Sequence, residues 1–280
     1  MPGVAGSGQA LVTGAAGFIG GRLVRRLLAE GRSVVALDVG ACPADLMAAS
    51  GLTWVSGDIR DSECLKSVVG PCGAVFHLAA VVGDWGAEDL HRSVTVDGTQ
   101  SLLQVVNDLA HAAVVVLASS IVVYGAGSKP WVTDLAAELR KGTPALIGGG
   151  NYDAGLVHVD NVVDILIRAS GSAGQAGAIY NAADEEGITW ARYMADIAAA
   201  CAAPVPRSIP RVVAQALAWA LEPSYRALSV RHRPPITREA LNLVGSAHRI
   251  DMQHTRRALG CQPVRHYRDG LREIQALLSR

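Results

Sequence analysis

Residues 11–20 read Leu-Val-Thr-Gly-Ala-Ala-Gly-Phe-Ile-Gly, and they join an apolar strand over residues 9–12 to a helix that continues to Leu28. Glycines stand at every third position, Gly14, Gly17 and Gly20. In this spacing the first glycine permits a tight turn, the second lets the backbone approach a phosphate, and the third lets helix and strand pack closely. Because a helix N-terminus adds free N–H groups and a positive dipole end, the stretch predicts a site for a dinucleotide pyrophosphate; a plain strand–helix turn is the alternative.

The composition of the 280-residue chain excludes several classes of protein. Half of the residues are apolar and 25 basic side chains balance 25 acidic ones, so no charge excess indicates nucleic acid or an anionic membrane as a partner. The N-terminus lacks the pattern of a signal peptide, and no apolar run is long enough to cross a membrane. Five scattered cysteines without a C-x-x-C pair indicate a reducing compartment and no structural zinc. We therefore expect a cytoplasmic protein without a nucleic-acid, membrane or metal partner.

Apolar segments at 33–37, 53–55, 74–77 and 113–118 alternate with helical patterns at 62–69 and 95–110. This alternation predicts an α/β fold, a Rossmann-like doubly wound parallel sheet whose ligands bind at the carboxyl ends of the strands. We assign residues 1–150 to an NAD(P)-binding domain. Residues 151–280 are expected to supply a last sheet strand at about 179–182 and a smaller C-terminal substrate lobe.

An aspartate closes the second predicted strand, where a carboxylate can accept hydrogen bonds from the adenosine ribose. This residue, Asp38, would repel a 2′-phosphate and so favours NAD(H), although a turn or capping role is the alternative. Arg22 and Arg60 are close enough in the chain to reach such a phosphate, which leaves NADP(H) open.

Five motifs occur in a fixed order: TGAAGFIG (13–20), GDIRD (57–61), FHLAA (76–80), VDGT (96–99) and SSIVVYG (119–125). Together they resemble the extended short-chain dehydrogenase/reductase superfamily, in the branch of NAD-dependent epimerases and dehydratases. The resemblance implies cofactor contacts to the pyrophosphate, the ribose, the adenine and the nicotinamide ribose from Gly14, Ala16, Gly17, Phe18, Ile19, Asp38, Asp58, Ile59, Leu78, Ala79, Ala80 and Ser119. It also implies that Ser120 is the catalytic serine and that His77 and His158 are structural.

The chain departs from this superfamily in its proton chemistry. Members carry a tyrosine and a lysine four residues apart on a helix, where the lysine lowers the pKa of the tyrosine. None of the lysines, Lys66, Lys129 and Lys141, has a tyrosine four residues before it. Tyr124 and Lys129 are five apart across a glycine-rich segment that predicts a loop. We therefore expect one helix and one strand of the usual fold to be missing, and a monomer or a non-standard dimer.

Three functions remain compatible with an intact cofactor motif and no tyrosine–lysine pair. The first is an NAD(P)H-dependent ketoreductase acting on a polycyclic aromatic, angucyclinone-type polyketide, in which a hydroxyl of the substrate supplies the proton. The layout resembles atypical short-chain ketoreductases of such pathways, which favours NADPH. Ser120 and Tyr124 are the candidate catalytic residues, and Trp85, Tyr124 and Trp131 are expected in loops that cover a flat aromatic ketone. The other two functions are a non-catalytic NAD(P) sensor and a degenerate epimerase or dehydratase.

Overall fold

The computed structural model describes residues 8–83, 85–109, 113–119, 122–142, 145–171, 174–228, 230 and 232–279. Its main sheet consists of β1 (Gln9–Thr13), β2 (Val34–Asp38), β3 (Leu52–Ser56), β4 (Cys72–His77) and β5 (Val114–Leu117). All five strands are parallel, in the order β3-β2-β1-β4-β5. The predicted Rossmann-like α/β fold is therefore confirmed, and no predicted strand of this sheet is misplaced by more than two residues.

The helices cover both faces of this sheet. In chain order they are α1 (Phe18–Ala29), α2 (Ser62–Val69), α3 (residues 88–107, with Arg92–Asp97 π-helical), α4 (residues 129–140, with Lys129–Thr133 π-helical), α5 (Val159–Ala169), α6 (Trp190–Ala200), α7 (Arg211–Ala227), α8 (Arg238–Val244), α9 (Gln253–Leu259) and α10 (Tyr267–Leu278). α1 and α5 pack on the face that carries Val12 and Ala36, whereas α2 and α3 cover the face that carries Leu11 and Val75. Because α5 packs on α1, the helix layer on this face includes residues from both predicted domains, 1–150 and 151–280.

The chain runs from β5 to β6 (Val123–Tyr124) with no helix in the described part of the connection. β6 pairs with β8 (Val157–His158) in a separate two-stranded sheet and does not extend the main one. β5 is consequently an edge strand of the five-stranded sheet. A third small sheet joins β7 (Leu146–Ile147) to β9 (Ser208–Ile209).

Three predicted boundaries are wrong. α3 begins at Glu88 and not at residue 95, because a short helix and a π-helical segment precede the predicted start. Pro223 predicts that the helix starting at Arg211 ends at Leu221, whereas α7 continues through Pro223 to Ala227, and Ser224 Oγ donates to the Ala220 carbonyl in the turn around the proline. α4 occupies a stretch whose first residues were predicted to be a loop.

The predicted last sheet strand at 179–182 is also wrong, because side chains and not a strand ladder hold this segment. Asn181 Nδ2 donates to the Asp251 carbonyl at 2.9 Å, and Thr255 Oγ1 donates to the Asn181 carbonyl at 2.9 Å. The ring of Tyr180 stacks on His254 with 5.8 Å between centroids. The segment therefore belongs to the lobe that carries α9.

The apolar run at residues 211–221 predicts a helix buried in the core of the C-terminal lobe, and this prediction is wrong as well. Only Ala214, Ala218 and Glu222 are buried in α7, whereas Val212 and Trp219 remain 72% and 60% exposed. The aromatic core of the lobe instead forms around α6. No helix in the described ranges is long and apolar enough to span a membrane.

Candidate cofactor and substrate site

The glycines of the first turn are required by close contacts. Gly14 has φ +70°, and a Cβ at this position would lie 2.7 Å from the Leu78 carbonyl carbon. A Cβ on Gly20 would overlap the Gly14 carbonyl oxygen. β1, β4 and α1 therefore approach one another at a distance that only glycine permits.

α1 begins with its backbone donors open. Gly17 is the N-cap and provides no side-chain cap, so the first N–H groups of the helix, from Phe18 onward, lack an intrahelical acceptor. Ala16 and Gly17 are exposed at this end. Open N–H groups, a positive dipole end and the absence of side-chain bulk fit a dinucleotide pyrophosphate.

Asp38 holds the turn from the neighbouring strand. Its Oδ2 accepts from the Ala16 N–H at 2.9 Å, and its Oδ1 accepts from the Gly40 N–H at 2.7 Å. Each carboxylate oxygen can accept a further hydrogen bond, so the half-buried side chain can still receive ribose hydroxyls. The turn role and the ribose role that the sequence left open are therefore compatible.

Both arginines that could reach a 2′-phosphate are already paired with carboxylates. Arg22 donates to both oxygens of Asp160, with Nη2 at 2.8 Å. Arg60 Nη2 lies 2.6 Å from Asp58 Oδ2, and its hydrogen bonds hold the pKa of that carboxyl below the usual value. Neither cation is free to receive a phosphate without breaking an ion pair.

The two residues expected beside the adenine, Asp58 and Ile59, differ in their surroundings. Asp58 is half-buried beside the carboxyl end of β3, as a ribose- or adenine-facing residue should be. Ile59 is only 5% exposed and packs directly against Gly98 of α3. The Ile59 side chain is therefore part of the core packing and is not exposed to contact a ligand.

A buried hydrogen-bond chain runs behind the cofactor turn. The Thr13 hydroxyl accepts from the N–H groups of Leu78 and Ala79, both at 3.2 Å, and lies 2.8 Å from His77 Nδ1. His77 Nε2 lies 2.8 Å from Thr99 Oγ1, which donates to the Thr95 carbonyl at 2.6 Å. Burial lowers the pKa of His77, so the ring is neutral, accepts at Nδ1 and donates from Nε2.

These hydrogen bonds explain the structural role predicted for His77. They also involve residues that the sequence analysis did not identify as part of the site. Thr13, Thr95 and Thr99 fix the segment after β4, since the Val81 N–H donates to Thr95 Oγ1 at 3.2 Å. The available signal was weak, since Thr13 directly precedes the first glycine of the turn.

The segment after β4 and the end of β5 complete the site at the strand ends. Leu78 and Ala79 are half-exposed, and Ala80 and Ser119 are exposed beyond their strands. The Ala118 N–H donates to the His77 carbonyl at 3.4 Å, which joins the two strand ends. Ser120, the candidate catalytic serine, lies outside the described residues.

Tyr124 does not occupy the loop position predicted for it. It lies in β6 and is fully buried, and its hydroxyl donates to Asp184 Oδ2 at 3.0 Å. Burial, reinforced by Asp184, raises the pKa of the phenol far above its ordinary value. The interpretation of Tyr124 as proton donor or as an aromatic cover is therefore wrong, because its ring packs against Tyr193 and Tyr267 in the lobe core.

The two tryptophans predicted to cover the substrate have different surroundings. Trp131 lies in α4 and not in a loop; its ring is 5.5 Å from that of Trp190, which makes it part of the lobe packing. Trp85 precedes α3, and its ring lies 6.4 Å from that of Tyr225 and 5.4 Å from the Arg226 guanidinium. Trp85 thus bridges the segment after β4 to α7 and remains a candidate cover for the cleft between them.

No group of three or more His, Cys, Asp or Glu side chains is placed to hold a metal ion in the described part of the chain.

Comparisons with known proteins agree with this geometry. The profile of the NAD dependent epimerase/dehydratase family matches residues 10–144. A 2-alkyl-3-oxoalkanoate reductase of Shewanella oneidensis is 23% identical over 96% of this chain and 86% of the relative. A D-erythronate dehydrogenase of Cupriavidus necator is 37% identical over 44% of this chain and 42% of the relative. The structure of the Bordetella bronchiseptica enzyme WbmF in complex with NAD+ superposes with a TM-score of 0.72 at 18% identity, covering 98% of this chain and 93% of that one.

Proposed function

Because the chain belongs to the NAD-dependent epimerase/dehydratase family, we propose that it is an NAD(P)H-dependent ketoreductase that reduces a carbonyl of a polycyclic aromatic ketone. The family assignment makes it an NAD(P)-dependent oxidoreductase of the extended short-chain type. The turn at Gly14–Ile19, with Asp38 beside it, binds the cofactor. Relatives named as a reductase and a dehydrogenase support carbonyl–alcohol chemistry in this chain.

One observation carries the choice of mechanism. The cofactor turn is intact, yet no tyrosine precedes a lysine by four residues, and the tyrosine of the SSIVVYG motif is buried against Asp184. An epimerase or dehydratase begins by oxidising a substrate alcohol and so needs a protein base that removes its proton, whereas a ketoreductase needs only a proton donor to one oxygen. The arrangement therefore favours reduction over epimerisation or dehydration.

The reaction balances without a dedicated protein acid. When bound, NAD(P)H supplies a hydride to the carbonyl carbon and is oxidised to NAD(P)+. A substrate hydroxyl hydrogen-bonded to that carbonyl passes its proton to the oxygen and regains one from water. Residues of this protein position the carbonyl. The hydrogen bonds that link Thr13, His77 and Thr99 hold the segment after β4 in place, and this segment lies beside the proposed nicotinamide end of the cofactor.

The paired arginines favour NADH over NADPH. A 2′-phosphate would approach the carboxylate of Asp38, and accepting it would require Arg22 or Arg60 to leave Asp160 or Asp58. This outweighs the preference for NADPH that the reductase resemblance suggests.

The five cysteines are all free, which supports the proposed cytoplasmic location.

The test is oxidation of NADH, followed by its absorbance, with a peri-hydroxylated anthrone and with the methyl ether of the same anthrone. We expect turnover of the hydroxy ketone and a rate at least about a hundredfold lower for the ether, which cannot donate a proton. Equal rates would show that the proton comes from the protein or directly from water. Tight NADH binding without oxidation by any ketone would replace the proposal with the sensor function.

A further inference from the structure

α7 presents an apolar surface to the outside of the protein. Its buried residues, Ala214, Ala218 and Glu222, stand four apart and form one stripe, in which the two alanines pack with Ile147 of β7 and Leu241 of α8. At 3.6 residues per turn, the opposite half of the helix begins with Val212, Val213, Ala216, Leu217, Trp219 and Ala220, all of them exposed. Pro223, Ser224 and Ala227 continue this half to the end of the helix. We call it the α7 face; along the 17 residues of α7 it is about 25 Å long.

No charged side chain interrupts the α7 face anywhere along the described helix. Its one polar side chain is that of Ser224, and the Ser224 hydroxyl donates to the Ala220 carbonyl at 2.7 Å. The exposed side of α1, by contrast, carries Arg25 and Arg26, as is usual for a helix that faces water. In α7 the pattern is reversed, because the carboxylate of Glu222 lies on the buried side. An apolar face of this length marks an interaction surface.

Arginines border the α7 face. Residues 201–240 carry six arginines and two glutamates, a net charge of +4, in a chain whose total charge is zero. Glu222, one of the two glutamates, is buried and paired with Arg226 and Arg238. The Arg238 guanidinium also lies 5.0 Å from the centroid of the Trp219 ring, at one edge of the face. The charge balance of the whole chain, which predicts no anionic membrane as a partner, averages out this local excess of positive charge.

We propose that the α7 face docks on an anionic lipid bilayer, with α7 lying in the plane of the bilayer surface. Protein interfaces carry about one hydrogen bond per 100–200 Å², but the α7 face offers no free side-chain donor or acceptor, because the Ser224 hydroxyl is bonded within the helix. Hydrocarbon needs no such partner, and an open, convex helix suits a flat one. Trp219 and Arg238, at the edge of the face, are the residue types that contact the headgroup region.

A second copy of the chain fits this face less well than an anionic surface does. In a symmetric pair the same patch is used by both copies, so Arg226 and Arg238 would lie beside the arginines of the other α7. Like charges brought together in this way oppose association, whereas anionic headgroups neutralise them. The positive border of the apolar face therefore selects a negatively charged partner.

The experiment measures co-sedimentation of the full chain with two kinds of vesicle, phosphatidylcholine alone and equal amounts of phosphatidylcholine and phosphatidylglycerol. Val213→Glu introduces a negative charge into the α7 face. Val264→Glu is the matched control, because Val264 is 44% exposed against 45% for Val213 and lies outside α7. The α7 face shares no residue with the cofactor turn, so NADH titration reports whether each variant remains folded, and docking is independent of the proposed reductase function. Light scattering without vesicles records the oligomeric state.

We expect the wild type to bind the mixed vesicles at least about tenfold more tightly than phosphatidylcholine vesicles, and added salt to reduce this difference. Val213→Glu should weaken binding to the mixed vesicles at least about tenfold, and Val264→Glu less than about twofold, with wild-type NADH affinity in both. Lipids brominated in their acyl chains should quench the tryptophan emission of the wild type, and Trp219→Phe should remove most of this quenching.

Equal binding to the two kinds of vesicle, or binding to neither, would overturn the proposal. Binding to the mixed vesicles that Val213→Glu leaves unchanged would overturn it as well, because another surface would then hold the lipid. A dimer that Val213→Glu converts to a monomer, without binding of the wild type to vesicles, would assign the α7 face to a second copy of the chain.

Discussion

Two glycine-containing turns lie side by side in this protein, and they have opposite roles. The turn after β1 and the turn after β6 each connect a strand to a helix and contain glycines with positive φ, +70° at Gly14 and +100° at Gly127. They touch, since a Cβ on Gly127 would lie 3.6 Å from the Phe18 ring. The first nevertheless presents a ligand site, whereas the polar side chains that flank the second, Tyr124 and Ser128, are buried.

The difference is where the polar groups point. After β1 the backbone N–H groups at the start of α1 are open, and Asp38 fixes the turn from outside. After β6 the polar side chains point inward: Tyr124 bonds to Asp184, and Ser128 Oγ donates to the Val123 carbonyl at 3.1 Å. A glycine turn is therefore a ligand site only when its donors are left unpaired at the surface.

Asp184, which accepts the hydrogen bond of Tyr124 beside the second turn, is itself buried. It accepts from Tyr124, from Asn161 Nδ2 at 2.7 Å and from the His158 N–H, yet burial still raises its pKa to about 6. A cavity of about 330 Å³ borders it, away from the strand ends of the main sheet. This buried acid stabilises the lobe and takes no part in the proposed reduction.

The largest expected effect comes from the first turn. Gly20→Ala places a methyl group against the Gly14 carbonyl, so we expect a loss of about 2–3 kcal/mol in the free energy of unfolding and at least tenfold weaker NADH binding. The control is Gly70→Ala, where a Cβ would find its nearest neighbour at 3.8 Å. Urea unfolding and NADH titration measure both changes, and equal stability of the two variants would contradict the close approach.

The pH dependence of stability tests the buried acid of the second turn. In the folded state Asp184 holds its proton up to a pKa of about 6, above the ordinary aspartate pKa of 3.8, so the folded state binds more protons than the unfolded state between these values. The wild type should therefore lose on the order of 2–3 kcal/mol relative to Asp184→Asn as the pH rises from about 4 to 6, with no further relative change above that. Unfolding curves that stay parallel over this range would show that Asp184 is not perturbed.

The Tyr124→Phe variant tests whether the hydroxyl of Tyr124 stabilises the fold or donates the proton in the reaction. Removing the phenol oxygen leaves Asp184 with one donor fewer, so we expect about 1–2 kcal/mol lower stability and a kcat within about threefold of the wild type. Tyr225→Phe is the control, since no described residue hydrogen-bonds to its hydroxyl. A loss of about a thousandfold in rate would make Tyr124 the proton donor after all.

The smallest expected effect concerns cofactor choice at the first turn. Asp38→Asn keeps an acceptor for the Ala16 N–H and removes the negative charge, so the preference for NADH over NADPH should narrow about tenfold. Asp45→Asn is the control, because Asp45 pairs with Arg25 on the surface and lies outside the site. The ratio of kcat/KM values for the two cofactors reports the change, and an unaltered ratio would place the discrimination elsewhere.

Local signals allowed the cofactor half to be predicted from the sequence. The bounds of α2 were predicted as observed, and each strand of the main sheet lies within two residues of its predicted range. Apolar periodicity and capping residues act over a few positions, so they are visible in a single chain. The failure at 179–182 lies where partners distant in sequence, Asp251 and Thr255, hold the segment.

What the amino-acid sequence determined by itself is the alternation of strands and helices, the glycine turn and the absence of a tyrosine–lysine pair, because each depends on residue type and short spacing. Tertiary structure alone decided that Arg22 is held by Asp160, that Tyr124 faces Asp184, and that α3 is left uncovered beside β5. These outcomes depend on contacts between residues that are far apart in the chain. Whether a polar group is buried, paired or open is set by those contacts, and the chemistry of the site follows from them.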